Sequence, residues 1–191
     1  MSSSNAPFGL RPAFHPSGLD RAQALANGIA SAYATDILKG QPVKLNSSGN
    51  IVVAAAGDSF QGAFAGVEWT DTTGRRRVSN YWPGSTAYQT GSCVAYFYTD
   101  PNIVYEIQAE GSLAQSSLGD EADLSNTTAG SNVTGLYQCT LSTTLAGAGN
   151  TAQMRIIDLA PYSDNAWGDT YTVVRTNIAK YQFGPVAGVA I

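Results

Sequence analysis

Short runs in which apolar and polar side chains alternate dominate the pattern along this chain. The clearest run covers residues 103–109, where four apolar side chains alternate with three mostly polar ones: Ile103, Tyr105, Ile107 and Ala109 against Val104, Glu106 and Gln108. A period of two places these two sets on opposite faces of a β-strand. A second strand-forming run at 93–98 precedes it, and residues 99–102 between the two include Pro101, whose ring presets a turn. The pattern therefore predicts a β-hairpin over residues 93–109.

Further runs of the same kind predict most of a β-rich body. Residues 37–45 and 51–55 are joined by five turn-forming residues, which predicts a second hairpin. Residues 60–69 predict a strand whose two internal glycines favour a bulge or a bend, and residues 75–81 are expected to return antiparallel to it. An extended path is expected at 120–124, and the remaining predicted strands lie in the last third of the chain: 138–143, 153–159 and 171–178.

One segment, residues 111–119, favours two turns of helix, with Ser112 as the N-cap residue and Gly119 just past the end. Leu113 and Leu118 would anchor this helix. Residues 125–135 are polar and rich in Thr, Asn and Gly, which is typical of an exposed loop. With eight to ten short strands and at most one short helix, the sequence predicts an all-β fold. The two candidate architectures are a compact antiparallel β-barrel and a jelly-roll-like sandwich.

The first 35 residues show neither the alternation of a strand nor the apolar spacing of a helix, and they predict an extended N-terminal arm. Residues 5–18 contain three prolines and two glycines, which exclude a helix or a central strand. Phe8, Leu10 and Phe14 are too apolar for a freely solvated segment, so we expect the arm to lie on its own body or on a neighbour. No regular structure is expected at 20–33. A single β-rich body would then cover residues 36–191. Its apolar C-terminal tail, residues 183–191, is expected to pack against another surface.

Composition and charge exclude several classes of function. Charged residues make up 13% of the chain, about half the usual fraction, and the net charge of −4 disfavours electrostatic capture of nucleic acid. No apolar run approaches the roughly 20 residues that span a bilayer, and no signal-peptide pattern is present. We therefore expect no membrane partner and synthesis in a cytoplasm. In that reducing compartment Cys93 and Cys139 are expected to be small buried apolar residues without a disulfide.

Side chains suited to catalysis or cofactor binding are scarce. A serine or cysteine nucleophile needs a base, most often histidine, and His15 in the proline-rich arm is the single histidine. Together with Cys93 and Cys139 it gives too few and too scattered ligands for zinc, and no phosphate-binding glycine motif is present. We therefore expect a protein without catalytic residues, metal or cofactor.

Three sets of charged residues leave alternatives open. The acidic run at 120–123 could bind calcium, although its spacing fits a solvated turn better. Asp164 and Asp169 could act as the paired carboxylates of a glycosidase, which is the least favoured function. The arginine run at 75–77 could bind an acidic patch or a phosphate on a partner, or it could keep an exposed sheet edge soluble.

Five phrases of the sequence carry a resemblance to a known family. They are NAPFGLRP at 5–12, DILKGQPVKL at 36–45 followed by 49–57, GAFAGVEW at 62–69 followed by 79–83, DPNIVYEIQA at 100–109 followed by LAQ at 113–115, and DNAWGD at 164–169. Together they span most of the chain in order. The chain resembles a family of tailed-bacteriophage structural proteins that decorate or cement the capsid.

The resemblance implies a compact β-barrel or jelly-roll-like body with an extended arm, seated on the outside of the virion shell. The implied partners are the major capsid protein and further copies of this chain, as a dimer or trimer. The candidate capsid-contact residues are Phe8, Leu10, Arg11, Phe14, Arg75, Arg76 and Arg77. The alternative function is a tail, fibre or minor virion protein that binds a glycan or the host, with its three tryptophans as candidate contacts: Trp69, Trp82 and Trp167.

Overall fold

The computed structural model describes residues 4–18 and 21–184, and over these residues the chain is almost entirely β-structure. The end of the apolar C-terminal segment, residues 185–191, lies outside the described part of the chain. In chain order the elements are β1 (Arg11–Phe14), β2 (Gln23–Ala26), β3 (Pro42–Leu45), β4 (Ile51–Val53), β5 (Gly62–Thr70), β6 (Arg76–Ser79), β7 (Val94–Tyr98), β8 (Val104–Gln108), a 3₁₀ helix (Gln115–Ser117), β9 (Glu121–Ser125), β10 (Gly130–Ser131), β11 (Leu136–Tyr137), β12 (Thr140–Ala146), β13 (Met154–Leu159) and β14 (Val173–Ile178).

These strands form two six-stranded antiparallel sheets and one small hairpin. The first sheet has the order β1-β8-β14-β13-β9-β12. The second has the order β2-β7-β5-β3-β4, and β6 pairs with the far half of the long strand β5. Strands β10 and β11 form the separate hairpin. The all-β prediction is confirmed, and of its two architectures the described residues form a sandwich-like fold without a closed barrel.

The predicted hairpin over 93–109 is wrong in its pairing, although both of its strands exist. Strand β7 pairs with β2 and β5 in the second sheet, whereas β8 pairs with β1 and β14 in the first. The turn residues act as expected, because the Asn102 amide donates a 2.8 Å hydrogen bond to Asp100 Oδ1. The turn carries the chain from one sheet to the other. Alternation fixes which face of a strand is buried, but not which strand lies beside it.

Several local predictions are confirmed around β5. Strands β3 and β4 form the expected hairpin, and β6 returns antiparallel to β5. The register between β5 and β7 shifts between Phe64 and Gly66, which is the bulge that the glycines favoured. Gly62 is needed for a close approach, because a Cβ at this position would lie 1.5 Å from the Tyr98 carbonyl oxygen.

Other local predictions are wrong. Residues 111–119 form only a single 3₁₀ turn, which begins after Ala114 rather than at Ser112. Leu113 is buried, but Leu118 is 42% exposed. The burial of a single leucine does not offset the free-energy cost of nucleating an α-helix. The polar loop at 125–135 contains β10, and the segment at 20–33 contains β2.

Two apolar clusters lie on the two faces of the second sheet. The cluster between the sheets contains Tyr105, Ile107, Met154 and Val174 of the first sheet together with Ala63 of β5. The other cluster contains side chains on the opposite face of the second sheet, including Phe64, Trp69 and Phe97, and is covered by Ile29, Ile37 and Trp82. Trp82 packs edge-on against Trp69, with their ring centroids 5.7 Å apart. Cys93 and Cys139 are fully buried free thiols, as predicted.

The described part of the first 35 residues lies on the body of the same chain. It adds one edge strand to each sheet, because β1 pairs with β8 and β2 pairs with β7. Leu10 enters the cluster between the sheets and is 1% exposed. The N-terminal segment is therefore part of the folded sandwich, and its prolines are tolerated because β1 lies at a sheet edge.

Candidate functional site

The N-terminal segment is held against the first sheet by a set of polar side chains centred on Glu106. We name Arg11, Glu106, Tyr162 and Arg175 the arm latch. Arg11 Nη2 lies 2.8 Å from Glu106 Oε2, and Arg175 Nε lies 3.4 Å from Glu106 Oε1. The Tyr162 hydroxyl donates a hydrogen bond to the same carboxylate and accepts one from Arg11. One carboxylate on β8 thus connects the arm, β14 and the loop that contains Tyr162.

The arm latch also positions two aromatic rings of the arm. The Arg11 guanidinium lies over the Phe8 ring, 4.3 Å from its centroid. The Arg175 guanidinium lies over the Phe14 ring at 5.2 Å. A cation over a ring face attracts the ring electrostatically, so both aromatics are oriented by the same two arginines that neutralise Glu106. Phe14 keeps 41% of its surface exposed in this arrangement.

The charge state of Glu106 follows from these contacts. Burial by itself raises the pKa of Glu106, but hydrogen bonds from Tyr162 and Arg11 and the charge of Arg11 outweigh it, so the pKa lies below its ordinary value. The pKa of the Tyr162 hydroxyl is raised, first by burial and then by its hydrogen bond to Glu106. The arm latch is therefore a carboxylate bound by two cations and a neutral phenol at neutral pH.

Gln108, two residues further along β8, binds the start of the arm. Its Oε1 accepts a 3.0 Å hydrogen bond from the Ala6 amide, and its Nε2 donates one of 3.0 Å to the Ser4 carbonyl. Glu106 and Gln108 are 7% and 3% exposed, so the polar face of β8 is covered by the arm rather than by water. The sequence predicted a mostly polar face here but not its contacts with the arm, because the arm partners of these two polar residues lie about 100 positions away.

His15 is placed between two oxygen atoms at the end of β1. Ser17 Oγ lies 2.6 Å from His15 Nδ1, and Asp100 Oδ2 lies 3.2 Å from His15 Nε2. These are the residue types of a serine hydrolase, but the Ser17 amide also donates to Nδ1 at 3.0 Å. Since that nitrogen has a single lone pair, it is already engaged by the backbone of its own turn. The arrangement fastens the end of β1 to the turn between β7 and β8.

An apolar groove of about 420 Å³ opens beside the arm. We name it the arm groove. The side chains that matter most for its chemistry are Phe8, Leu10, Phe64, Tyr98, Leu136 and Tyr137. Leu10 and Tyr137 are buried below it, whereas Leu136 of β11 is 47% exposed. Lys39 lies at the groove next to Leu136, to which it is bridged, and is exposed.

The arginine run lies on the surface of the β5–β6 hairpin, at a distance in sequence from the arm. All three arginines are exposed. Arg76 pairs with Glu68 at 2.5 Å and Arg77 pairs with Asp71 at 2.9 Å, both within the same hairpin. The Arg77 guanidinium is one of the hydrogen-bond donors that, after Thr73 and the Arg75 amide, lower the pKa of Asp71. Two of the three charges are therefore balanced locally.

The acidic candidates have structural roles among the described residues. Glu121 is fully buried and paired with Arg155 at 2.6 Å, and Asp123 Oδ1 accepts a 3.0 Å hydrogen bond from the Gln153 amide. Residues 121–125 are a strand, so the solvated-turn interpretation of this run is wrong. Asp169 is buried and accepts a hydrogen bond from the Ala166 amide at 2.8 Å, whereas Asp164 is exposed.

The tryptophan candidates for glycan contact are largely inside the fold. Trp69 and Trp82 are 7% and 0% exposed, and Trp167 packs against the cluster between the sheets. Within the described ranges, no group of three or more metal-binding side chains comes together. No helix found over those ranges has the length and apolar character to cross a membrane.

Comparisons with known proteins add no relative to this description. No family model matches the chain, and neither a curated protein nor a solved structure matches it.

Proposed function

We propose that this chain is a non-enzymatic virion structural protein that binds the outer surface of a phage capsid and decorates or cements neighbouring major capsid subunits. The observation that carries the proposal is the surface formed by the arm, where the arm latch holds Phe8 and Phe14 partly exposed and Phe8 also lines an apolar groove. The five sequence phrases that resemble capsid decoration proteins support the same function. The virion exterior would then be its location.

The physical chemistry of this surface suits weak binding repeated many times. A fully buried aromatic side chain contributes about 1.5–3 kcal/mol, and association itself costs several kcal/mol, so one arm surface binds weakly. A capsid presents the same site many times, and several linked contacts hold a shell more firmly than one contact does. The arm latch reduces the cost of binding, because both rings are already ordered before the partner arrives.

Burial and local ion pairing reduce the number of predicted contact residues that a partner could reach. Leu10 is buried in its own core, and Arg76 and Arg77 are paired within their hairpin. The residues that remain available for a capsid on the arm surface are Phe8 and Phe14, because Arg11 is likewise paired, with Glu106. Arg75 remains available on the β5–β6 hairpin. We propose this smaller set as the capsid contacts.

Co-sedimentation of the purified protein with capsid shells that lack it tests this function. The variant with Phe8→Ser and Phe14→Ser removes both rings and keeps Leu10, and it should lose at least tenfold in affinity for shells. Leu118→Ser is the matched control, since Leu118 has the same exposure as Phe14, 42% against 41%, but lies beside the 3₁₀ helix. Undiminished shell binding by the double serine variant would contradict the arm-surface version of the proposal.

The alternative role is a tail or fibre protein that binds a glycan. The glycan would then bind to a surface other than the tryptophan side chains. A polar cleft of about 610 Å³ lies between residues 35–41 and the β10–β11 hairpin and is lined by hydroxyl, amide and carboxylate groups: Asp36, Gln41, Thr127, Thr128, Ser131 and Asn132. Such groups hydrogen-bond sugar hydroxyls. Imaging of the labelled protein on the virion separates the two roles, because signal confined to the tail supports this alternative.

A further inference from the structure

The arm groove is an apolar surface that the described part of the chain leaves uncovered. Its volume of about 420 Å³ is in the range of sites that enclose a small ligand or a few side chains. Leu136 and Phe8 both line it; Leu136 is 47% exposed, and Phe8 is only partly buried. The backbone groups beside Leu136 are already bonded, because the Tyr137 amide donates to the Lys39 carbonyl at 3.0 Å. Recognition in this groove therefore depends on apolar side chains rather than on added strand pairing.

The same chain carries an apolar segment that fits this chemistry. Residues 185–191 read PVAGVAI and contain no charged or polar side chain. The described chain leaves the body just before them, at Phe183, which is 66% exposed, and Gly184. Gln182 is fixed to the last residue of β3, since its amide exchanges hydrogen bonds of 2.9 and 2.8 Å with the Leu45 backbone. Seven extended residues span about 23 Å.

We propose that residues 185–191 of one copy bind in the arm groove of a second copy of this chain. The position of the exit favours a second copy over the same one. The chain leaves the body at Leu45, at one end of β3, while Lys39 and the exposed wall of the groove lie beyond the other end at Pro42. Traversing β3 alone takes about 10 Å, nearly half of the available span, so a chain folding back on itself places only part of the segment in its own groove. In a second copy, the whole segment can lie in the groove.

The proposed contact has a defined symmetry. Each copy has one groove and one segment, so the contact is heterologous, and copies related by a rotation close into a ring in which every groove is filled. The contact requires no capsid, and it goes beyond the decoration function proposed above. Its test therefore uses the purified protein alone.

Engineered cysteines test the contact directly. Leu136→Cys and Val189→Cys are made as separate variants, mixed, and oxidised with copper phenanthroline under native conditions, where the buried Cys93 and Cys139 stay protected. The mixture should give a disulfide-linked dimer. Replacing Leu136→Cys by Ser116→Cys, at an exposed position on the 3₁₀ helix, should reduce the dimer yield at least tenfold. A yield equal to that control overturns the proposal.

The double variant with both substitutions in one chain distinguishes binding to the same copy. It should form linked oligomers, and exclusive formation of an internally linked monomer would overturn the proposal in favour of docking within one chain. Light scattering after size exclusion provides a second measure. Leu136→Asp and a chain ending at Gly184 should each weaken self-association at least tenfold while the far-UV circular dichroism stays that of the folded protein. Unchanged association in both variants would contradict the proposal even if the cysteine variants failed to fold.

Discussion

Replacing Glu106 with glutamine removes the charge at the centre of the arm latch and keeps the size of the side chain. Glu106 is 7% exposed and binds Arg11, Arg175 and Tyr162. A hydrogen bond to a charged group contributes about 1.5–3 kcal/mol, and the pair with Arg11 contributes less than a buried pair, because the Arg11 side chain is 48% exposed. We expect Glu106→Gln to lower the free energy of unfolding by about 2–3 kcal/mol.

Urea unfolding of the single and double variants measures this contribution. In a double-mutant cycle, Glu106→Gln and Arg11→Ala should show a coupling energy of about 1 kcal/mol. Glu68→Gln is the control, because its ion-pair partner Arg76 is 72% exposed, so loss of this pair should change stability little. If Glu106→Gln is as stable as the unmodified protein, the arm latch does not hold the arm to the body.

The same contact has a pH dependence with a defined sign. The pKa of Glu106 in the folded protein lies below the ordinary value of 4.5. The stability that this carboxylate contributes is therefore complete above about pH 4.5 and is lost as the pH falls through the lowered pKa of the folded state. Below pH 4.5, the stability of the unmodified protein should fall more steeply than that of Glu106→Gln. Parallel curves for the two proteins would refute the assigned role of the carboxylate.

Three further predictions follow from packing. Leu10→Ala should cost about 2–5 kcal/mol of stability and Phe14→Ala about 1 kcal/mol or less, because Leu10 is in the core and Phe14 is 41% exposed; equal costs in urea unfolding would contradict the position of the arm. Gly62→Ala should cost about 3 kcal/mol or more, since its Cβ would overlap the Tyr98 carbonyl, whereas Gly111→Ala meets only a methyl group at 3.4 Å and should be close to neutral. Burial raises the pKa of both the Cys93 and Cys139 thiols. The folded protein should therefore not react with iodoacetamide at pH 8, whereas the protein unfolded in urea should react at two sites. Rapid labelling of the folded protein would argue against the described core.

The strands could be predicted from the sequence more reliably than their partners. The alternation at 103–109 correctly placed Tyr105 and Ile107 in the core. It could not reveal that β7 and β8 belong to different sheets, because a strand facing another across the core has the same alternation as a strand paired beside it. The hairpins β3–β4 and β5–β6 were predictable because short turns leave neighbouring strands few other partners.

The candidate site was only partly predictable. The apolar residues of the arm were recognised, but Glu106, the residue that holds the arm, was predicted only to lie on the mostly polar face of its strand. Its partners are separated from it by 95 residues at Arg11 and 69 at Arg175, and such long-range ion pairs leave no periodic signal in one sequence. The three-proline segment also concealed an edge strand, since prolines exclude a central strand but not β1.

A cryo-electron microscopy map of the virion that carries this chain tests the proposed function most directly. The account predicts density for the two-sheet sandwich on the outside of the capsid shell, with the surface of Phe8 and Phe14 in contact with major capsid subunits. Density for the sandwich confined to the tail would contradict the account. So would contacts with the shell that are made by a face of the sandwich remote from the arm.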